Sequence, residues 1–555
     1  MKDIEIAQSV TLKPIAEIAD RLSIPENVLE YYGRYKAKLP LSLINESKIP
    51  SSNLILVTAI TPTPAGEGKT TVSIGLNEGL NRLGERSLVV LREPSLGPVF
   101  GIKGGAAGGG YSQVLPMEDI NLHFTGDFSA IEKANNLLAA VIDNVIHNPE
   151  HTIQLDPKSI LWKRVMDMND RSLREIIVGV GPKANGVMRQ AGFNITAASE
   201  IMAILCMAQN FQDLKQRIGR ILVGFTYSKE PVFASDLKVQ DAMTLLLKDA
   251  IKPNLVQTIE GNPALIHGGP FANIAQGTNS LIATKMGLSL AHYVVTEAGF
   301  GADLGAEKFL NIKCPTGGLT PKAIVLVATI RALKHHGGAA PNQLNVPSTE
   351  LLEKGFCNLQ KHIENARKFG LNPVVAVNVF STDTSSEIEK VVSLCNQMQV
   401  QAVPCNAWAE GGKGCEELAK AVKNAVIHKP GSYKPLYDYK LGIEEKIQTI
   451  ATQIYGASHV QYTAKALNDL KLIQKLGLHE LPVCMAKTQK SFSDNEKRIG
   501  RPTHFDITIR EFEIASGAGF VIPILGNMMR MPGLPKNPAS EFMFIDDEGL
   551  ITGLS

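Results

Sequence analysis

The stretch Thr61-Pro-Thr-Pro-Ala-Gly-Glu-Gly-Lys-Thr-Thr71 carries the strongest signal in the sequence for both fold and chemistry. The apolar run at residues 54–60 predicts a buried strand leading into it. After it, one face of a predicted helix is formed by Val72, Leu76, Leu80 and Leu83. A glycine-bearing turn that ends in Gly-Lys-Thr between a strand and a helix is typical of a phosphate-binding loop, although the general pattern has a glycine where this chain has Thr63.

The residue types in this loop suit a nucleotide polyphosphate. Gly66 and Gly68 allow the backbone to curl so that several N–H groups point inward, and the start of the helix adds its positive end. Lys69 brings a full charge to the outer phosphates, and the Thr70 hydroxyl is placed to ligate Mg²⁺. A proline-rich turn with an exposed lysine is the alternative, but it leaves the strand and helix on either side unexplained.

Bulk composition excludes several classes of protein. The chain of 555 residues suits about three or four domains. Its formal net charge of +2, from 56 basic and 54 acidic residues, gives no electrostatic footprint of nucleic-acid or membrane binding. Seven cysteines without a C-x-x-C pair imply no disulfide framework. We find neither a signal-peptide core nor an apolar run of membrane-spanning length, which predicts a cytoplasmic location.

Strand patterns alternate with helical patterns along the chain, which predicts an α/β fold. Further strands are predicted at residues 87–91, 220–225, 291–295, 323–328 and 373–380, and in the alternating set Ile120, Leu122 and Phe124. The expected architecture is a doubly wound, mostly parallel sheet of the phosphate-loop NTPase type, with smaller additional α/β and C-terminal domains.

Changes in composition predict the domain boundaries. We expect a nucleotide-binding domain with an N-terminal helical cap at residues 1–285, a second α/β domain at 286–430 and a C-terminal domain at 431–555. In such sheets ligands collect at the carboxyl ends of the strands. The chemically notable residues at predicted strand ends are Lys69, Arg92, Asp127, Phe300, Phe380 and Trp408.

Several of these residues have two interpretations. Arg92 can fork onto a carboxylate or phosphate, or it can form a surface ion pair. Asp127 can hold Mg²⁺ through water or accept a proton, or it can cap a turn or helix. Phe380 and Trp408 can sandwich a flat heterocycle or pack in a core. His267, beside two glycines, is either a site residue or a structural histidine.

A second glycine-rich segment has six glycines in the eleven residues 101–111. It predicts either backbone amides wrapped around an anion or a flexible lid. Serine, the usual partner of glycine in linkers, is absent from it, which argues against a plain linker.

Several long strings of this chain resemble the formate–tetrahydrofolate ligase family, and the resemblance covers essentially the whole sequence. Besides the two glycine-rich segments, they are Asn121-Leu-His-Phe-Thr-Gly-Asp127, residues 267–274, Thr296-Glu-Ala-Gly-Phe-Gly-Ala-Asp303 and residues 327–334. The resemblance implies that formate, MgATP and tetrahydrofolate give 10-formyltetrahydrofolate, ADP and phosphate through formyl phosphate. It also implies a homotetramer activated by a monovalent cation such as ammonium or potassium.

The resemblance implies roles for individual residues as well. It gives Lys69, Arg92, Glu93 and Asp127 catalytic roles, with Arg92 holding formate and then formyl phosphate, and Asp127 positioning the folate amine or the metal. Thr70 ligates Mg²⁺, Phe380 and Trp408 sandwich the pterin, and Phe300 borders the same cleft. The implied ATP loop comprises Thr63, Pro64, Ala65, Gly66, Glu67, Gly68, Lys69 and Thr70.

Three positions depart from the family pattern. Glutamate, aspartate and histidine are more usual where this chain has Gln190, Asn194 and Gln276. Two potential charges are therefore missing from one stretch, which bears on cation affinity or local pairing there rather than on the transfer chemistry.

Two other functions are compatible with a phosphate loop. A regulatory NTPase would switch between dimeric states without any dependence on folate. An ATP-dependent ligase for another small carboxylate would have no need for two aromatic residues across a cleft. Trp408 in a polar, glycine-rich loop argues against both.

Overall fold

The computed structural model describes residues 2–64, 66–101, 107–526 and 528–554. It is a mixed α/β structure built on one large sheet. In chain order the strands are β1 (Glu30–Tyr31), β2 (Ala37–Lys38), β3 (Asn53–Ala59), β4 (Ser87–Leu91), β5 (Gly108–Gly109), β6 (Ser112–Leu115), β7 (Arg164–Met166), β8 (Ile176–Val178), β9 (Arg189–Ala191), β10 (Phe193–Ile195), β11 (Leu222–Phe225), β12 (Pro231–Phe233), β13 (Asn254–Thr258), β14 (Pro263–Ile266), β15 (Tyr293–Glu297), β16 (Pro321–Ala328), β17 (Pro373–Asn378), β18 (Ala402–Cys405), β19 (Val460–Tyr462), β20 (Ile507–Ile509), β21 (Glu511–Ala515), β22 (Phe520–Ile524), β23 (Phe544–Ile545) and β24 (Ile551–Thr552).

The α-helices lie between and around these strands. They are α1 (Asp3–Gln8), α2 (Ile15–Asp20), α3 (Lys69–Arg82), α4 (Leu96–Phe100), α5 (Met117–Asn121), α6 (Asp127–His147), α7 (Glu200–Met207), α8 (Phe211–Gly219), α9 (Gln240–Leu246), α10 (Leu281–Leu290), α11 (Cys314–Gly317), α12 (Ile330–His336), α13 (Thr349–Lys368), α14 (Ser385–Gln397), α15 (Ala407–Glu410), α16 (Glu416–His428), α17 (Ile443–Ile450) and α18 (Ala464–Lys475).

The central sheet has twelve strands, and its main path runs β1-β2-β13-β14-β4-β15-β3-β16-β17-β18. All pairings from β14 to β18 along this path are parallel. The strands β1, β2 and β13 pair antiparallel at one side, and β5 and β6 branch from β13. The predicted mainly parallel sheet is therefore confirmed, with an antiparallel margin.

Both faces of the sheet are buried, because alternate side chains of each strand enter different cores. In β3, Leu54 and Leu56 join a core with α10 and α13. Ile55 and Val57 join the opposite core, with α3 and α16. A strand buried on both faces reads as a continuous apolar run, which is why residues 54–60 and 87–91 were recognisable from the sequence.

One predicted strand is absent, and another is present but lies outside the central sheet. Residues 117–121 form the helix α5 instead of a strand, because Pro116 at its N-cap and the acidic Glu118 and Asp119 in its first turn favour a helix start. The run at 220–225 gives β11, which pairs antiparallel with β12 outside the central sheet.

The terminal regions are joined to this sheet. The predicted N-terminal helix is present as α2, but β1 and β2 also extend the sheet, so the region is more than a helical cap. Side chains from 437 to 525 share the core that contains α10 and α13. A buried ion pair, Lys487 Nζ to Asp303 Oδ2 at 2.8 Å, fixes the C-terminal region to the segment after β15.

The large sheet contains strands from both 1–285 and 286–430, and the predicted division into domains stays a prediction. Within the described residues no helix is long and apolar enough to cross a membrane.

Candidate functional site

The parallel strands bring residues from distant parts of the sequence to one edge of the sheet. The loop that starts at Thr61 follows β3, Arg92 follows β4, and Phe300 lies three residues after β15. Phe380 follows β17, and Trp408 lies in α15 directly after β18. The carboxyl ends of parallel strands share an edge, so the prediction that these residues come after strand ends there is correct for all five.

The loop predicted to bind phosphate curls as its glycines require. Gly68 is the N-cap of α3 in the left-handed region, with φ +73°, and Gly66 has φ +75°. A Cβ on Gly68 would lie 2.4 Å from Asn378 Nδ2, so the position requires glycine for space as well as for backbone conformation. Asn378, at the end of β17, donates through Nδ2 to the carbonyl oxygen of Glu67 at 3.1 Å.

The Glu67 side chain forms hydrogen bonds within this loop. Its Oε1 accepts from the backbone N–H of Thr63 at 2.7 Å and from the Thr63 hydroxyl at 3.1 Å. The Lys69 ammonium lies 3.9 Å from Oε2 of the same carboxylate. The hydroxyl of Thr63 thus has a use in this chain that glycine, the residue of the general pattern, would not supply. Ala65 lies outside the described residues.

Glu297, a carboxylate that the sequence analysis did not identify, contacts both Thr70 and Arg92. Glu297, the last residue of β15, accepts the Thr70 hydroxyl through Oε2 at 2.8 Å. Its Oε1 lies 3.7 Å from Nη2 of Arg92. Because β15 lies between β3 and β4, an acid at its carboxyl end must face both the phosphate loop and Arg92. An acid that ends a predicted strand was the available signal in the sequence.

Arg92 is held in place beside this carboxylate. Its Nη1 donates to the carbonyl oxygen of Pro270 at 3.3 Å. A Cβ on Gly299 would lie 2.9 Å from Nη1, so glycine leaves the space that the guanidinium occupies. The guanidinium remains partly exposed at the edge of the sheet, where it can meet an anion.

Glu93 and Asp127 form a second acidic pair with a buried lysine. Lys38 Nζ lies 2.7 Å from Asp127 Oδ1, and Asn254 Nδ2 donates to Asp127 Oδ2 at 2.9 Å. Burial, and then the Asp127 charge, raise the pKa of Glu93 well above its usual range, while the Lys38 charge opposes them. Oε2 of Glu93 has no hydrogen-bond partner among the described residues. Asp127 is therefore paired with a lysine, whereas the raised pKa of Glu93 favours its protonated form.

Asp127 reaches this pair from the first turn of α6 rather than from a strand end. Gly126, with φ +90°, is the N-cap of that helix. The capping alternative is therefore wrong, because Gly126 is the N-cap and the Asp127 carboxylate pairs with Lys38 and Asn254 instead.

The three aromatic residues occupy different surroundings. The Arg331 guanidinium carbon lies 3.9 Å from the ring centroid of Phe380. Trp408 is 45% exposed, and its Nε1 donates to Asp3 Oδ1 at 3.2 Å. Phe300 has a left-handed backbone, with φ +57°, in the turn after β15. Core packing, the alternative for Trp408, is excluded by its exposure.

His267 is a structural histidine. Its Nδ1 lies 2.6 Å from Ser280 Oγ, its Nε2 lies 2.6 Å from the carbonyl oxygen of Ala250, and burial lowers its pKa to about 4. A neutral imidazole with Nε2–H fits both contacts. Of the second glycine-rich segment, residues 102–106 lie outside the described residues, so neither prediction for that segment is tested there.

A sequence model of the protein family described as formate–tetrahydrofolate ligase matches residues 1–555 of this chain. This chain belongs to the formate–tetrahydrofolate ligase family. It is therefore an enzyme, an ATP-dependent carbon–nitrogen ligase that joins formate to tetrahydrofolate. The alternatives of a regulatory NTPase and of a ligase for a different carboxylate are set aside by a match that spans the whole chain.

The three departures from the family pattern lie in different surroundings in this formate–tetrahydrofolate ligase. Gln190, on the β8–β9 hairpin, donates through Nε2 to Glu175 at 2.9 Å. Asn194 lies in β10, which pairs with β7. Gln276 is buried, donates to the carbonyl oxygen of Thr278, and has an Oε1 without a partner among the described residues. An amide at 190 avoids the repulsion that a second carboxylate would feel beside Glu175.

Proposed function

We propose that the ligase works through formyl phosphate at the edge where the phosphate loop, Arg92 and Glu297 meet. A formate oxygen attacks the γ-phosphorus of ATP, the bond to the β-phosphate oxygen breaks, and ADP leaves. The folate N10 then attacks the formyl carbon, the carbon–oxygen bond breaks, and phosphate leaves while the N10 proton passes to a base. The single observation that carries the proposal is that Glu297 lies beside both Thr70 and Arg92.

Electrostatic repulsion between the two anionic substrates explains why cations are needed at this edge. Formate and the triphosphate repel each other, so positive groups must offset their charge before they come into line. Lys69 and the start of α3 face the phosphates in this proposal, and Arg92 holds formate and then formyl phosphate. Lys69 lies 3.9 Å from Glu67 and Arg92 lies 3.7 Å from Glu297, so each cation has a neighbouring carboxylate that helps to position it.

Mg²⁺ fits the oxygens of Thr70 and Glu297. A hydroxyl and a carboxylate oxygen 2.8 Å apart are hard donors of the kind that Mg²⁺ takes, with water and phosphate oxygens completing its shell. The bound ion would supply charge neutralisation between the β- and γ-phosphates. A monovalent cation belongs to the same proposal as an activator, and it is tested by comparing rates in potassium, ammonium and tetramethylammonium at constant ionic strength.

The folate is assigned to the aromatic residues on the same edge. Phe380 and Trp408 are proposed to stack on the pterin, with Phe300 beside them, because all three follow strand ends of the parallel sheet. Asp127 is proposed to orient the N10 amine, and its Oδ1 lies 2.7 Å from Lys38 Nζ, which fixes the carboxylate in place. Glu93, held near its protonated form, is the neighbouring group that can exchange a proton.

Two wider features belong to this proposal. The turn between β3 and α3, with Gly68 as a left-handed N-cap, supports the phosphate-loop NTPase type of sheet. The proposed domains remain a nucleotide-binding domain at 1–285, a second α/β domain with the aromatic residues at 286–430 and a C-terminal domain at 431–555. A homotetramer is supported by exposed apolar side chains on the β8–β9 hairpin.

The test uses formate labelled with ¹⁸O in both oxygens. Complete mixtures should form 10-formyltetrahydrofolate only when formate, tetrahydrofolate and MgATP are all present. One ¹⁸O should then appear in each phosphate released, because the attacking formate oxygen stays with phosphorus. Product formation with unlabelled phosphate would rule out formyl phosphate and leave the ligase activity itself intact.

A further inference from the structure

The N-terminal helix α1 lies against helix α15, which carries Trp408. Oδ1 of Asp3 accepts two hydrogen bonds there: one from Trp408 Nε1 at 3.2 Å and one from the backbone N–H of Gly110 at 2.9 Å. One carboxylate oxygen therefore joins the indole to the second glycine-rich segment.

The backbones of these two segments also interlock. The N–H of Tyr111 donates to the carbonyl oxygen of Trp408 at 2.8 Å, and the Ser112 hydroxyl donates to the carbonyl oxygen of Ala407 at 2.8 Å. Gly110 has φ +57°, and a Cβ there would lie 2.0 Å from the carbonyl oxygen of Trp408. The close approach is possible only for glycine, which explains this part of the glycine-rich segment.

Asp3 is itself held from two sides. Ile4 and Ile6 of the same short helix are buried, and Ile4 belongs to the core that contains α3. Gln113 Nε2 donates to the carbonyl oxygen of Asp3 at 2.9 Å. The backbone at Asp3 is thus fixed to the core and to β6, which places its carboxylate beside the indole.

We propose that Asp3 is a positioning residue for the folate site, setting the plane of the Trp408 ring; the inference rests on the proposed role of Trp408. The ring is nearly half exposed, so packing alone does not fix its rotamer. An indole N–H bound to a fixed acceptor presents its face in one orientation, and a pre-oriented face binds a flat ring with less loss of conformational freedom.

The experiment uses Asp3→Ala and Asp3→Asn, with Glu5→Gln as the matched control on the same helix. Glu5 accepts the N–H of Lys2 through Oε2, and glutamine keeps an acceptor there while removing the charge. Trp408 is observed by its fluorescence in a Trp162→Phe background, where it is the only tryptophan.

For Asp3→Ala we expect stronger acrylamide quenching of Trp408 and a KM for tetrahydrofolate raised roughly three- to tenfold, the size of the net contribution of one typical hydrogen bond. KM for ATP, kcat and the melting temperature should stay close to those of the parent. Asp3→Asn, which retains an acceptor oxygen, should recover part of both effects, and Glu5→Gln should show neither.

The inference is overturned if quenching or the KM for tetrahydrofolate is unchanged in Asp3→Ala, or if the KM values for ATP and tetrahydrofolate rise together. Trp408→Ala separates this failure from that of the proposed function. If Trp408→Ala weakens tetrahydrofolate binding while Asp3→Ala does not, only the role of Asp3 fails. If Trp408→Ala leaves the KM unchanged, the folate assignment itself fails.

Discussion

Two cations of the proposed site lie beside carboxylates at the sheet edge. Glu67 lies near Lys69, and Glu297 lies near Arg92 while accepting the Thr70 hydroxyl. An anionic substrate or Mg²⁺ bound there as proposed would compete with these contacts, and the variants below test that role.

At Lys69, replacement by alanine should lower kcat by about 10²–10³, because a positioned charge on the transferring group is lost. Steady-state turnover with saturating substrates measures the effect. Lys48→Ala, which removes an exposed lysine before β3, is the control and should retain the parental rate. Parental turnover in Lys69→Ala would refute the assigned role.

Glu297→Gln should raise the Mg²⁺ concentration for half-maximal rate by about 10–100-fold, as for loss of a metal-site partner. Titration calorimetry with Mn²⁺ in the presence of ADP gives the binding constant without turnover. The matched control is Glu416→Gln, whose carboxylate also pairs with an arginine, Arg82, at 2.8 Å but lies on α16. Equal Mn²⁺ affinity in Glu297→Gln and the parent would exclude Glu297 from the metal site.

Among the elements, helix α3 carries an acid in its buried face. Burial raises the pKa of Glu78 to about 8, and Asn262 Nδ2 donates to its Oε2. In the unfolded chain this carboxyl ionises near its ordinary value of about 4.3. Between those two values the folded state binds more protons than the unfolded state, so the free energy of unfolding falls as pH rises.

The prediction from Glu78 concerns the slope of stability against pH. Glu78→Gln mimics the protonated carboxyl. In this variant the free energy of unfolding should no longer fall by up to about 1.4 kcal/mol per pH unit between pH 5 and 8. Denaturant unfolding at several pH values measures the slope. Glu417→Gln changes an exposed carboxylate and should leave the slope as it is. An unchanged slope in Glu78→Gln would mean that Glu78 is ionised in the folded protein.

Helices α12 and α13 meet through glycine. A Cβ on Gly355 would lie 1.8 Å from the carbonyl oxygen of Leu333, so the helices must separate to accept it. We expect Gly355→Ala to lower the free energy of unfolding by about 1–3 kcal/mol or more. Gly219→Ala is the control, since a Cβ there has only an ordinary contact at 3.5 Å. Equal stability of the two variants, measured by denaturant unfolding, would contradict this packing.

At the scale of the whole molecule, the exposed apolar residues of the β8–β9 hairpin predict an assembly. Ile177, Val180 and Met188 are 64%, 62% and 68% exposed, which is unusual for neighbouring apolar side chains on a free surface. Ile177→Asp with Met188→Asp should shift sedimentation from a tetramer to smaller species, because burying two charges opposes association.

The control for assembly is Leu245→Asp, which changes a side chain 70% exposed on α9. It should leave the sedimentation coefficient unchanged. A tetramer that persists in the hairpin double variant would place the interface elsewhere on the surface.

The sequence by itself determined the parallel strands and the glycine-bearing turn between β3 and α3, because these depend on local patterns. A strand buried on both faces must be apolar throughout, as in β3 and β4, and Gly68 must adopt a left-handed N-cap before α3. Where the pattern was short, as at Ile120 and Leu122, local helix signals at Pro116 to Asp119 prevailed.

Only the tertiary structure decided the partners across the site. Glu297 meets Thr70 and Arg92, Lys38 meets Asp127, and Asp3 meets Trp408 because the fold joins segments far apart in the sequence. Contacts of this kind depend on strand order and on the path of the N-terminal region, and no periodicity in the sequence encodes them. That is the physical reason why the loop after β3 could be recognised from its own sequence, while the contacts of Glu297, Lys38 and Asp3 could not.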